Sequence, residues 1–312
     1  MDHVLLVTGT IFLIISVGYI CFATALFDRT ALAPLGQFVV NIALPALIFR
    51  AFLTQDIAAI ANPGYLGGYL FGSLLMLGVG YFWAGVISPK DSVHRTFDAA
   101  GMACANSGLV GYPILLLAMP AIAPTALAMN MLTENLIIIP LVIVLAEIGS
   151  GRASGILGGG VVFLRVLKNP LIIAILVSLF LVFTGLKLPG PVSRAIDILA
   201  SSSVAISLFV IGGTIAGVSI RKIGTRVPMI VAGKIIGHPL AVWFGLYVMS
   251  LVGFALDDPA LGKAAIIMAA TPAMSIYPLL AQRYGDAETA ATAMLLMTIL
   301  SFFTISALLY ML

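Results

Sequence analysis

Met102-Ala103-Cys104-Ala105-Asn106-Ser107-Gly108-Leu109-Val110-Gly111-Tyr112-Pro113 places two glycines, a proline and two adjacent polar residues inside an otherwise apolar run. A continuous membrane helix is badly served by such residues, so the run reads as a broken helix. Lipid cannot satisfy the freed amide groups, and a break at that depth must therefore face protein or a water-filled cavity. A second interruption follows 165 residues later, Ala269-Ala270-Thr271-Pro272-Ala273-Met274-Ser275-Ile276-Tyr277-Pro278, and it ends on the same Tyr-Pro pair.

The chain around these breaks is 62% hydrophobic and 9% charged, with a mean hydropathy of +1.19. A water-soluble domain of 312 residues needs more polar surface than that, so the class is a polytopic protein of the cell membrane with the lipid bilayer as its solvent. Ten apolar runs can be counted, at 4–25, 31–52, 64–87, 97–119, 124–147, 170–186, 192–217, 227–252, 262–281 and 288–311. Each is about long enough to cross a hydrocarbon core of ~30 Å as a helix. The first run follows Met-Asp-His without a basic stretch and is too long for a signal-peptide core, so it is read as a retained helix.

Dispersed basic residues argue against a nucleic-acid partner. Cys21 and Cys104 lie in different runs with no metal-ligand or disulfide spacing, and no cofactor or metal is expected. Loops after odd-numbered runs hold ten Lys and Arg, whereas the loops on the other side hold four. The positive-inside bias then puts the odd loops in the cytoplasm and both termini outside.

Polar residues within the runs are the candidate site. The first break offers Asn106, Ser107, Gly108 and Tyr112, and the second Thr271, Ser275 and Tyr277. Asn41 lies four residues before Pro45 in the second run, as a substrate contact or as part of a packing kink. The fifth run carries Asn130, Thr133 and Glu134, and a carboxylate there must face a cavity or a partner, or carry a proton. In the eighth run Lys234 and His238 are spaced i, i+4 on one face before Pro239. Lys234 sits about seven residues in, deeper than a snorkelling lysine needs to be. Gly64, Gly68 and Gly72 form a small-residue seam in the third run that serves close packing within the protomer or the face of a homodimer.

At the constant offset of 165, Gly68/Gly233, Gly72/Gly237, Gly80/Gly245, Tyr112/Tyr277 and Pro113/Pro278 are identical pairs. Five spans per copy is an odd number, so the second copy enters the membrane from the opposite side and the repeats are inverted. The expected fold is all-α, with ten transmembrane helices in two inverted five-helix repeats, 1–148 and 170–312. A Gly-rich basic cytoplasmic linker, 149–169, joins them.

Taken together, Asn41-Ile42-Ala43-Leu44-Pro45, Asn106-Ser107-Gly108 through Tyr112-Pro113, and Lys234 with Pro239 resemble the auxin efflux carrier family, whose bacterial branch includes malonate carriers. The resemblance spans the whole chain. It implies a scaffold part and a transport part, crossing helices four and nine, and the transport of small carboxylates. Pro272 departs from an exact copy of the Asn-Ser-Gly break. A more distant similarity, to the bile acid sodium symporters, implies that Asn106, Ser107, Asn130, Thr133 and Glu134 could supply oxygens to sodium; a proton on Glu134 is the competing reading.

The expectation is therefore a secondary carrier, not an enzyme, that moves a small organic anion such as malonate or an auxin-like weak acid by alternating access. Helix-end dipoles, Lys234 and His238 would attract its charge. A membrane substrate sensor is the alternative, although no soluble signalling domain is apparent. An intramembrane hydrolase using Ser107 and His238 is the other, and it lacks a Gly-x-Ser-x-Gly elbow.

Overall fold

The computed structural model describes residues 2–54, 62–87, 92–150, 170–216, 224–274, 277–282 and 286–311. Within them all regular structure is helical: α1 Asp2–Ala23, α2 Arg29–Leu53, α3 Pro63–Ile87, α4 Ser92–Ala103, α5 Tyr112–Ala118, α6 Ala123–Gly149, α7 Pro170–Thr184, α8 Gly190–Ala216, α9 Arg226–Leu251, α10 Pro259–Ala269, α11 Tyr277–Gln282 and α12 Ala287–Met311. Among the described residues seven stretches are long and apolar enough to cross a membrane, counting Ser92–Ala118 as one, and shorter apolar helices occupy Gly9–Ala23, Pro170–Thr184 and Pro259–Ala269. The protein is thus a multi-pass membrane protein. Ser275 and nearly all of the Gly-rich basic segment, 151–169, lie outside the described residues.

The fourth run is broken as its composition requires. Helix α4 stops at Ala103, Cys104–Asn106 have no regular structure, and a π turn, Ser107–Gly111, leads into α5. Between α10 and α11, Pro272–Met274 are likewise without regular structure.

Three further π turns occur inside helices: Val39–Ala43 in α2, Glu134–Ile138 in α6 and Gly233–Gly237 in α9. All four share a local cause. Each ends two residues before a proline, namely Pro45, Pro113, Pro140 and Pro239. Proline lacks the amide hydrogen that the carbonyl four residues earlier would accept, and its ring crowds that carbonyl. The turn widens instead. Leu44 N reaches Val39 O, Ile139 N reaches Glu134 O, and His238 N reaches Gly233 O. Each π turn carries one of the candidate polar residues, Asn41, Ser107, Glu134 or Lys234. The sequence expected a kink at Pro45; the structure has local widening there, which rotates the polar side chain without ending the helix.

The chain gathers into two compact units, each discontinuous in sequence: Met1–Ala61, Gly108–Met131 and Leu167–Ser219 in the first, and Asn62–Ser107, Leu132–Val166 and Ile220–Leu312 in the second. This grouping is a different division from the proposed repeats, since each unit draws on both halves of the chain.

In the first unit α1 packs on α8 with almost no side chain between them. A β-carbon on Gly18 would collide with the Phe209 carbonyl, and one on Gly212 with that of Ile15. At the start of α2, the exposed Asp28 carboxylate accepts from the amide and hydroxyl of Thr30, and these bonds hold it below the usual aspartate range.

In the second unit the glycine seam of α3 packs against α9. A β-carbon on Gly72 would lie 2.5 Å from Val242 Cα, and one on Gly245 would meet the Gly68 carbonyl. The seam is therefore used within the protomer. Met76, Phe97, Met102, Ile138, Val142, Ile230, Tyr277 and Met297 belong to the buried core that this contact anchors.

Candidate functional site

Within the second unit the two breaks meet through their backbones. Asn106 N donates to Pro272 O at 2.9 Å, so an amide freed by one break is satisfied by a carbonyl freed by the other. Thr271, fully buried, turns its hydroxyl back to the Met268 carbonyl at 2.8 Å. Asn106 is half-buried, while Ser107 is fully buried.

Glu134 is drawn to the first break by its position in a π turn of α6. Its Oε1 accepts from the Tyr69 hydroxyl at 3.0 Å, the Ala105 amide at 3.1 Å and the Ser107 hydroxyl at 3.3 Å. Three donors on one oxygen are the surroundings of a carboxylate, which can accept but not donate when ionised.

The second half of the site comes from α9. Lys234 Nζ and His238 Nδ1 are 2.6 Å apart, and Lys234 also donates, at 3.0 Å, to the carbonyl of Ala269, the last residue of α10. His238 Nε2 lies 3.0 Å from Ser73 Oγ. With Lys234 as an ammonium its N–H points at Nδ1, the ring proton sits on Nε2, and Ser73 Oγ accepts it. Lys234, His238 and Ser73 are all completely buried.

Tyr69 joins the two halves: its hydroxyl is on Glu134 and its ring meets that of His238 edge-on, centroids 5.7 Å apart. Lys234 and Glu134 act on each other electrostatically, while each places its hydrogen bonds on neutral groups. With Lys234 as an ammonium and Glu134 as a carboxylate, the two charges would balance each other inside the second unit.

Asn106, Ser107, Lys234, His238, Thr271, Tyr277, Thr133 and Glu134 belong to the second unit, and Asn41, Gly108, Tyr112 and Asn130 to the first. Asn41 is exposed and Asn130 buried. The Tyr277 hydroxyl is buried and without a hydrogen-bond partner among the described residues, set over Gly101. Of the pair named for a hydrolase, Ser107 donates to Glu134, and His238 Nε2 lies against Ser73 Oγ where α9 packs along α3.

Sequence reasoning passed over Tyr69 and Ser73, which read as ordinary members of an apolar run. It also passed over a charged cluster in the same unit. Arg226 bonds Asp98 and Asp286, and His94 Nε2 stands 3.6 Å from Asp286. Asp98 offered a signal, since a carboxylate inside an apolar run requires a cation.

The chain matches the family described as membrane transport protein over residues 8–311. It is 26% identical over 319 residues to a protein of Rhizobium meliloti (strain 1021) named "Putative malonate transporter", with 98% of this chain and 95% of that protein covered.

Proposed function

Because the chain belongs to the membrane transport protein family, the auxin efflux carrier family that its breaks resemble, we propose that it is a secondary carrier of a small organic anion working by alternating access. The single observation that carries this reading is the backbone contact of the two breaks, Asn106 N to Pro272 O, with the Lys234 amino group bonded to Ala269, the last residue of the helix that leads into the second of them. Broken helices that meet in this way present polar backbone and a fixed positive charge in an apolar interior, which suits a carboxylate. The substrate class is a small carboxylate of the malonate type, in keeping with the name of the Rhizobium relative.

An arriving carboxylate takes the place of Glu134 as counter-ion to Lys234. Glu134 then needs a cation of its own, and a proton or sodium ion there couples anion movement to an ion gradient. Ten spans in two inverted repeats remain the architecture we propose, with the odd loops cytoplasmic and both termini outside. Ser73 and His238 support the inverted arrangement. They are 165 residues apart, the offset of the repeat, and they touch at 3.0 Å, as residues beside a pseudo-two-fold axis would.

The test is counterflow of labelled malonate and other small carboxylates in liposomes holding the purified protein. Accumulation against unlabelled internal anion is the expected result. A protein that binds carboxylates without moving them would be a sensor, and the carrier reading would fall.

A further inference from the structure

Arg226 opens α9, the helix that carries Lys234 two turns later. Its Nε and Nη2 hold Asp98 Oδ2 and Oδ1 at 2.8 and 2.5 Å, and its Nη1 and Nη2 hold Asp286 Oδ1 and Oδ2 at 3.1 and 2.7 Å. Nη2 also reaches the His94 carbonyl at 3.3 Å. One guanidinium thus forks two carboxylates that are 1% and 4% exposed. The partners come from separate parts of the site. Asp98 lies on α4, six residues before the first break begins at Cys104, and Asp286 lies between α11, the helix resumed after the second break, and α12.

We infer that Arg226 is the positioning residue of this site, a clasp by which one side chain keeps both breaks and the Lys234 helix in register as a single body. The inference rests on the carrier reading for its purpose and on the double fork for its existence. Isolated breaks are the weakest points of helices α4 and α10, because their amides lack the usual intrahelical partners. The Asn106–Pro272 bond alone is one hydrogen bond. The clasp adds four charge-assisted contacts about two helical turns away along α4, where two unlike segments would otherwise slide independently. Lysine cannot replace it, since a point charge does not fork two carboxylates at once. Among the described residues, the His94 ring also stands beside this cluster, its Nε2 3.6 Å from Asp286 Oδ1.

Cys104 supplies a reporter that needs no substrate, because it is a free, fully buried thiol at the first residue of the break. The protein is prepared with Cys21→Ser, and Cys104 is labelled with N-ethylmaleimide in liposomes. A control protein carries Cys21→Ser, Cys104→Ser and Ala200→Cys, the last a buried position of the first unit. Arg226→Lys and Asp286→Asn should each speed labelling of Cys104 by at least about tenfold, as expected when one partner of a buried ion pair is lost, and leave Ala200→Cys labelling unchanged. Asp98→Asn should have a similar effect. Wild-type labelling in Arg226→Lys and Asp286→Asn overturns the clasp, and so does an equal rise at Cys104 and Ala200→Cys, which reports general unfolding. Labelling as expected in a protein that exchanges no carboxylate leaves the clasp standing and removes the carrier reading instead.

Discussion

The amide of Asn106 and the carbonyl of Pro272 form a 2.9 Å hydrogen bond between two segments that have both left the helix. Asn106 is half-buried and Ser107, its neighbour, is bonded to Glu134, so the same few residues join the breaks and hold the carboxylate. Movement of either segment is therefore felt at Glu134, through the Ala105 amide and the Ser107 hydroxyl.

Gly108 follows directly, and in the first unit a β-carbon there would approach Leu44 Cδ1 to 2.6 Å. Gly108→Ala should be tolerated, because the end of a leucine side chain can give way. Gly108→Leu should abolish carboxylate counterflow in liposomes while the protein still inserts and elutes as a single species. Overpacking of this kind costs about 1 to 3 kcal/mol, enough to distort the break without unfolding the chain. Near-normal counterflow by the leucine variant would detach the break from transport.

Lys234→Ala should weaken carboxylate binding by at least about tenfold, the scale of losing one charge-assisted contact of about 1.5 to 3 kcal/mol. Lys234→Arg should recover only part of that, since the fully buried site is fitted to an ammonium between His238 and Ala269. Isothermal titration with malonate reads both. Unchanged affinity in the alanine variant would make Lys234 a structural residue.

Glu134→Gln keeps an oxygen for Tyr69, Ala105 and Ser107 but removes the charge. Transport by the wild type should depend on pH or on sodium, and the glutamine variant should lose whichever dependence the wild type shows. Tyr69→Phe should shift that dependence while leaving expression intact, because it deletes one donor to the carboxylate. Counterflow measured across pH and sodium gradients decides the matter, and a wild type indifferent to both would make Glu134 an internal counter-ion only.

Pro239→Ala restores an amide hydrogen to α9 and takes away the ring that widens Gly233–Gly237. The helix should gain stability, by up to about 3 kcal/mol on intrinsic propensity, and close its π turn. Lys234 and His238 then turn away from Ala269 and Ser73. A higher unfolding temperature together with weaker malonate binding is the expected pair of results, and a tighter-binding variant would contradict the role given to the widened turn.

Much of this was legible in the residues. Glycine and proline in apolar runs marked both breaks, and Lys234 and His238 at i, i+4 do bond each other. What stayed hidden is held together by tertiary contacts at long separation. Asp98 and Arg226 are 128 residues apart, and Arg226 read as a loop cation until the fold set it at the head of α9. Tyr69 and Ser73 carry no local signal, since a tyrosine and a serine among glycines are what close helix packing uses anyway. The seam at Gly64, Gly68 and Gly72 left internal packing and a dimer face equally open, and only the partner surface, Val242 and Leu246 on α9, decides between them.

The three π turns that lie inside helices also set the phase of those helices. One extra residue in a turn offsets everything beyond it by about 100° around the axis, so the two arms of α2, α6 and α9 present different stripes to their surroundings. An apolar stripe followed from one end of such a helix arrives at the other end on the wrong side. Loss of a single residue, which in an ordinary helix misaligns a whole arm, would here bring the arms into one continuous stripe.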